Sequence, residues 1–129
     1  MALTTSGQVY GWGSNGFGQV GCNCRDFYAR AKCSPLEIHF PGDYKIDKIL
    51  CYEWTSFVIT SEGQVFMWGR RSGSKCFYKP KLMQHMTNIK HICLDYKTIY
   101  LLSNDGVLYL CDLNQQLVKI MTTLRLVIY

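Results

Sequence analysis

Ala2-Leu3-Thr4-Thr5-Ser6-Gly7-Gln8-Val9-Tyr10-Gly11-Trp12-Gly13 returns, in the same register and without a gap, as Val58-Ile59-Thr60-Ser61-Glu62-Gly63-Gln64-Val65-Phe66-Met67-Trp68-Gly69. A looser third copy, Leu101-Leu102-Ser103-Asn104-Asp105-Gly106-Val107-Leu108-Tyr109-Leu110-Cys111-Asp112, carries Cys111 at the Trp position and Asp112 at the second Gly. The turn glycines Gly7, Gly63 and Gly106 are spaced by 56 and 43 residues. Propeller blades take ~40 to 50 residues each, so the longer spacing leaves room for a loop insertion. Each copy reads as a β-hairpin: an apolar run, a tight turn ending in Gly, then a second run with an aromatic at its centre. Asp105-Gly106 is the clearest of the turns, because Gly accepts the positive φ that a two-residue hairpin turn demands.

Working outward, a further strand-like segment precedes the second and third copies, Ile46-Asp47-Lys48-Ile49-Leu50-Cys51 and Ile89-Lys90-His91-Ile92-Cys93-Leu94. Runs such as Phe57-Val58-Ile59 and Ile99-Tyr100-Leu101-Leu102 are apolar on both faces, the pattern of sheets covered on both sides. No helix is strongly written. Lys81-Leu82-Met83-Gln84-His85-Met86 has room for a short turn between Pro80 and the next strand. An all-β chain follows, divided into repeats at about 1–45, 46–88 and 89–129. An aromatic content of 14% fits that reading, since aromatic side chains suit a pleated, packed surface.

At 48% hydrophobic and 18% charged, the 129 residues have the balance of a globular domain. A net charge of +5 is a mild bias, not the field of a dedicated nucleic-acid binder, so nucleic acid is not the expected partner class. The start of the chain has neither the basic nor the apolar segment of a secretory leader, and no run is long enough to cross a bilayer. Seven Cys, an odd number, suit a reducing compartment, so an intracellular location, cytoplasmic or nuclear, is expected. Cys51, Cys93 and Cys111 lie in apolar runs and are assigned to packing.

Gly11-x-Gly13-x-x-Gly16 satisfies a dinucleotide-binding pattern literally, but two further Gly and no helical apolar period follow it, so a structural blade loop is the better reading. Cys22, Cys24 and Cys33 lack zinc-knuckle spacing and a clear fourth ligand. His39, His85 and His91 belong to no nucleophile–base constellation. No catalytic residue, cofactor or metal is expected. The basic stretch Arg70, Arg71, Lys75, Lys79, Lys81 and Lys90 is a different matter, because no Asp or Glu occurs between Gly63 and Leu94. Positive charge gathered in a blade-connecting loop would dock an acidic partner surface or a phosphate backbone; against this stands a solvated loop that limits aggregation.

Gly11-Trp12-Gly13-Ser14-Asn15-Gly16-Phe17-Gly18-Gln19-Val20-Gly21 resembles the signature of the regulator-of-chromosome-condensation (RCC-type) repeats, Trp-Gly followed by Asn-x-x-Gly-Gln-Leu-Gly, with Val20 for Leu. Cys33-Ser34-Pro35-Leu36-Glu37-Ile38 is similar to the family's following Pro-led strand. The second copy keeps Trp68-Gly69 but reads Arg70-Arg71-Ser72-Gly73-Ser74-Lys75 in place of the Asn and Gln motif. The resemblance implies a propeller of seven four-stranded blades, of which this chain supplies about two and a half. Its repeat-signature residues are Gly7, Trp12, Gly13, Asn15, Gly18, Gln19, Gly21, Gly63, Trp68, Gly69 and Gly106. A fainter likeness links Phe66-Met67-Trp68-Gly69 to the last blades of RCC-repeat proteins that carry a BTB domain.

These readings lead to a non-catalytic protein–protein interaction module, with Arg70, Arg71, Lys75, Lys79 and Lys81 as candidate partner-binding residues. The resemblance also implies two alternatives: part of a guanine-nucleotide exchange factor for a small GTPase, or part of a BTB-linked ubiquitin-ligase substrate adaptor. Trp12 and Trp68 are both expected to pack between blades. With fewer than three blades and an apolar end segment, Leu124-Arg125-Leu126-Val127-Ile128-Tyr129, the isolated chain is expected to self-associate.

Overall fold

Successive short strands joined by tight turns can pair only with their chain neighbours, and the result is three antiparallel meanders laid down in order. The computed structural model describes residues 1–22, 31–70, 75–96, 98–112 and 117–121. Strands β1 (Ala2–Leu3), β2 (Val9–Ser14) and β3 (Ala31–Glu37) form the first sheet. Strands β4 (Ile46–Tyr52), β5 (Thr55–Thr60), β6 (Val65–Arg70) and β7 (Cys76–Leu82) form the second, and β8 (Ile89–Leu94), β9 (Thr98–Ser103), β10 (Leu108–Asp112) and β11 (Leu117–Met121) the third. No helix occurs among the described residues, and Gln84-His85 makes only a turn, with Met83 and Met86 beside it buried. The expected all-β, blade-like architecture is present. Arg71, Cys24 and the terminal 124–129 segment lie outside the described residues.

Why the strands are apolar on both faces is visible in the second sheet, where every residue of β5 is buried. Side chains alternate across a strand, so β5 and β6 serve two cores at once. Val58, Phe66 and Trp68 face the first sheet and join Val9, Ile38 and Ile46 in one cluster. Phe57, Ile59, Val65 and Met67 face the third and join Ile89, Ile99, Leu101 and Cys111 in the other. The third sheet is less covered: in β9 only Ile99, Leu101 and Ser103 are buried, alternating with half-buried neighbours. Cys111 is buried as expected, and burial raises its thiol pKa above the usual value. Cys51 and Cys93 are exposed, contrary to the packing role assigned to them. They lie on the first strands of their sheets, β4 and β8, where alternation turns those positions outward.

The three hairpin turns share one construction, which is not the two-residue turn anticipated. Gly7, Gly63 and Gly106 each donate to a carbonyl three residues back, at Thr4, Thr60 and Ser103, over 3.0, 2.9 and 3.2 Å. Each Gly has positive φ, at 89°, 74° and 85°. This is a three-residue loop, a turn followed by a left-handed Gly. The hydroxyls of Thr4, Thr60 and Ser103 accept from the amides of Gln8, Gln64 and Val107 at 2.9, 3.1 and 2.9 Å, closing each loop a second time. A hydroxyl residue three positions before each Gly was a legible sign of this.

Gly63 also carries a contact between sheets. A Cβ there would stand 2.6 Å from Asn88 Cα and from Ile89 N, whereas one at Gly7 would meet nothing within 4 Å. Gly63 O accepts from Ile89 N at 2.9 Å, tying the second turn to the third sheet. Gly7→Ala should therefore cost about 1 kcal/mol, the strain of a left-handed residue alone. Gly63→Ala should cost roughly 2 to 3 kcal/mol or more, since strain and collision coincide. Denaturant melts of the two variants test this, and equal losses would remove the inter-sheet contact from the account. In the third turn, hydrogen bonding to Ser103 foremost, then to its own amide and to Asn88, holds the Asp105 carboxyl below its ordinary value. Stability from this group is thus present above about pH 4 and lost as pH falls through the lower folded-state pKa. Acid titrations should show a shallower loss of stability in Asp105→Asn than in the parent.

Candidate functional site

Two structures dominate the junction of the first and second sheets: a glycine-rich loop that locks them together, and an aromatic and basic rim above it. In the loop, Val20 N donates to Asn15 Oδ1 at 3.0 Å and Phe17 N to Gln19 Oε1 at 2.9 Å. Gly18 N reaches Asn15 O at 3.1 Å and Gly21 N reaches Gly18 O at 2.9 Å. These bonds leave the Gln19 carbonyl facing the second sheet. There it accepts from Trp68 Nε1 at 2.9 Å and from Ser56 Oγ at 2.8 Å. The glycines are set by proximity: a Cβ on Gly21 would lie 2.7 Å from Trp68 Nε1, and one on Gly18 would lie 2.8 Å from the Tyr78 ring.

Trp12 and Trp68 hold the same place in their repeats but not the same environment. Trp68 is wholly buried, while Trp12 is 44% exposed, so the expectation that both pack between blades is corrected for Trp12. Trp68 has the Gln19 carbonyl of the neighbouring sheet's loop as a partner, and among the described residues no such acceptor is placed against Trp12. Gly13 and Gly69 differ in the same way. A Cβ at Gly69 would collide with the Trp54 carbonyl oxygen, and one at Gly13 meets nothing within 4 Å.

Up-and-down connectivity puts alternate connections at opposite ends of the sheets. The Gly7, Gly63 and Gly106 turns share one end; the loop after β2, the β4–β5 turn, the loop after β6 and the β8–β9 turn share the other. This second rim carries Phe17, Trp54 at the tip of the two-residue turn Glu53-Trp54, and Tyr96, with Trp54 and Tyr96 exposed at 42% and 82%. Arg70, the last residue of β6, spreads its guanidinium over both Phe17 and Trp54, at 5.1 and 4.6 Å from the ring centroids. The rings themselves are 5.2 Å apart. Two hydrogen bonds to the backbone of Arg70 fix the arrangement, from Arg70 N to Trp54 O at 2.8 Å and from the Thr55 hydroxyl to Arg70 O at 3.0 Å.

The basic residues are distributed differently from the expectation. They do not occupy a connection between blades, because β6 and β7 pair within one sheet and the stretch is their hairpin. Lys75 is exposed just before β7, and Lys79 and Lys81 are exposed on β7 itself, at the sheet's outer edge. Lys81 Nζ sits 4.7 Å from the Phe77 ring centroid. Lys79 lines a cleft of about 680 Å³ between the first two sheets, together with Glu37, His39 and Phe40. Opposite Arg70 across the hairpin, the Cys76 thiol is raised by burial, with the guanidinium working against that shift. Among the described residues no three His, Cys, Asp or Glu side chains gather as a metal site. The side chain of Cys33 is not among those described. Sequence reasoning passed over Trp54, although a Trp in a two-residue link between apolar strands was there to be read.

Comparison with known proteins agrees with this geometry. The family model described as the regulator of chromosome condensation (RCC1) repeat matches residues 1–19. The ultraviolet-B receptor UVR8 of Arabidopsis thaliana is 44% identical over 71 residues, 54% of this chain and 15% of that protein. The mitochondrial RCC1 domain-containing protein RUG3 of the same plant is 36% identical over 73 residues, 57% of this chain and 16% of RUG3. Among solved structures, yeast RCC1 (Prp20) bound to Kap60 superposes with a TM-score of 0.75 at 18% identity, over 86% of this chain and 29% of that one. Prp20p of Saccharomyces cerevisiae, described together with its binding to Gsp1p and histones, gives a TM-score of 0.74. The fold is therefore that of β-propeller blades. The chain is similar to RCC-type repeat proteins, by family model over residues 1–19 and by sequence over about half its length, and it spans less than a third of the length of these relatives.

If the Trp68–Gln19 lock is what joins the sheets, the two tryptophans must differ in cost. Trp68→Ala should lose about 3 to 5 kcal/mol, the range for a fully buried large aromatic. Trp12→Ala should lose less than half of that. Equal losses in denaturant unfolding would show that the indole position, not its partner, sets the stability.

Proposed function

We propose that this chain is a non-catalytic protein-interaction module that docks a partner on the rim bearing Arg70, Trp54 and Lys75, with Lys79 and Lys81 on the adjoining edge strand. The observation that carries the reading is the clamp of Arg70 over Phe17 and Trp54. Exposed Trp and Arg are the residue types that dominate binding energy at protein interfaces, and here both are held by a β-scaffold rather than by a loose loop. Acidic residues are missing from 64–93, so the field over this edge is positive and steers an acidic surface toward it. Arg71 belongs to the same proposed surface by sequence.

Charge reversal tests the proposal. Exchange of Arg70, Arg71 and Lys75 for Glu should abolish capture of the partner from cell extract while leaving the melting transition unchanged; undiminished capture refutes it. A second reading, part of a guanine-nucleotide exchange factor, draws on the fold likeness to Prp20p, which is described with its binding to Gsp1p. Catalytic amounts of the chain would then speed release of labelled nucleotide from a small GTPase, and unchanged release across a GTPase panel would leave docking without exchange. An adaptor role with a BTB domain would draw on residues beyond Tyr129. Self-association of the isolated chain belongs to the same proposal, through the partly covered third sheet and the exposed Trp12 face.

A further inference from the structure

We propose that the guanidinium of Arg70, lying over Phe17 and Trp54, is a carboxylate-binding site for an acidic peptide segment of a protein partner, with Trp54 as the apolar wall beside it. This rests on the interaction-module reading and names the chemistry that the rim selects. The guanidinium carbon lies 5.1 and 4.6 Å from the two ring centroids, which are themselves 5.2 Å apart, so both rings brace the group from one side and its N–H donors remain for a partner. Among the described residues no carboxylate is paired with Arg70, neither Glu53 of the adjoining turn nor any other. A planar fork of N–H donors matches the two oxygens of a carboxylate in bidentate geometry, and a point charge does not.

Three features make this a prepared site rather than a solvated arginine. Its backbone is anchored at both ends, by Arg70 N on Trp54 O and by Thr55 Oγ1 on Arg70 O. Gly69, where a Cβ would strike Trp54 O, lets the β4–β5 turn close down onto β6 and brings Trp54 to the guanidinium. Phe17 arrives from the first sheet, carried by the same loop whose Gln19 carbonyl holds Trp68, so the cradle exists only when the two sheets are joined. Side-chain freedom that an exposed arginine would lose on binding has already been given up. The modest net charge of +5 favours an acidic protein segment over a nucleic-acid backbone as the source of the anion.

The test uses the full chain and a fluorescein-labelled hexaglutamate peptide, read by anisotropy. Arg70→Lys keeps the charge but loses the fork, and Trp54→Ala keeps the arginine but removes a wall. Both leave the backbone anchors of residue 70 in place. Each should weaken peptide binding about tenfold or more, whereas Lys79→Glu with Lys81→Glu should weaken it by a smaller factor and make it less sensitive to salt, because only screened long-range attraction is removed. Equal binding by Arg70→Lys and the parent overturns the proposal, as does a loss seen only with the Lys79 and Lys81 exchanges. Tighter, Arg70-dependent binding of a labelled oligo-dT than of hexaglutamate also overturns it, in favour of a phosphate backbone. A chain that captures its partner from extract in an Arg70-dependent way but ignores hexaglutamate overturns the carboxylate assignment alone and leaves the interaction-module reading standing.

Discussion

The hydrogen bond from the Trp68 indole to the Gln19 carbonyl is the constraint around which the rest is arranged. A buried indole N–H must find an acceptor, because leaving it unpaired in an apolar core costs several times what the bond itself contributes. The acceptor comes from a loop of the previous sheet, and only a loop folded back on itself can bare a carbonyl at that place. Asn15 and Gln19 do the folding with their side chains, and Gly18 and Gly21 let it approach. Ser56 shares the same carbonyl, so two strands of the second sheet are fixed to one atom of the first. With that angle set, Val58 and Phe66 meet Val9 and Ile38 on one side, and Phe57 and Met67 are turned toward the third sheet on the other.

The topology separates structural from functional demands. Turns ending in Gly7, Gly63 and Gly106 occupy one end, and Gly63 is consumed by contact with Asn88 and Ile89. At the opposite end Trp54, Arg70 and Tyr96 stand in reach of solvent. Because the lock and the rim share one loop, Gln19 at its base and Phe17 at its crest, the cohesion of the sheets and the shape of the rim are coupled through a few residues. A rim built this way is rigid at the site where binding would otherwise have to order it.

Much of the fold was legible in the repeat. Gly63 in register with Gly7, alternation broken by fully apolar runs, and the Trp-Gly pairs led to antiparallel hairpins with both faces covered. What escaped was anything that depends on which sheet stands next to a residue. Cys51, Cys93 and Cys111 all sit among apolar letters, yet only Cys111 points inward. The basic stretch looked like a connection between blades and is a hairpin within one, because pairing of Arg70 with Cys76 folds it back on its own sheet. Trp54 stands in a two-residue link between strands, a legible position, but its meeting with Phe17 and Arg70 depends on the neighbouring sheet.

By itself the sequence determined the strands, their hairpin turns, the handful of glycines that must be glycine, and the RCC-type signature that orders the Asn15-to-Gly21 loop. These follow from local conformational preference and from periodicity, and a chain carries both within a dozen residues. The tertiary structure alone decided that Trp68 is a keystone while Trp12, at the same place in its repeat, is half in water. It alone brought Phe17, Trp54 and Arg70, from three different elements, into one cluster. Burial and cation–ring contact are relations between residues far apart in the chain, and they come into being only when one sheet is laid against another.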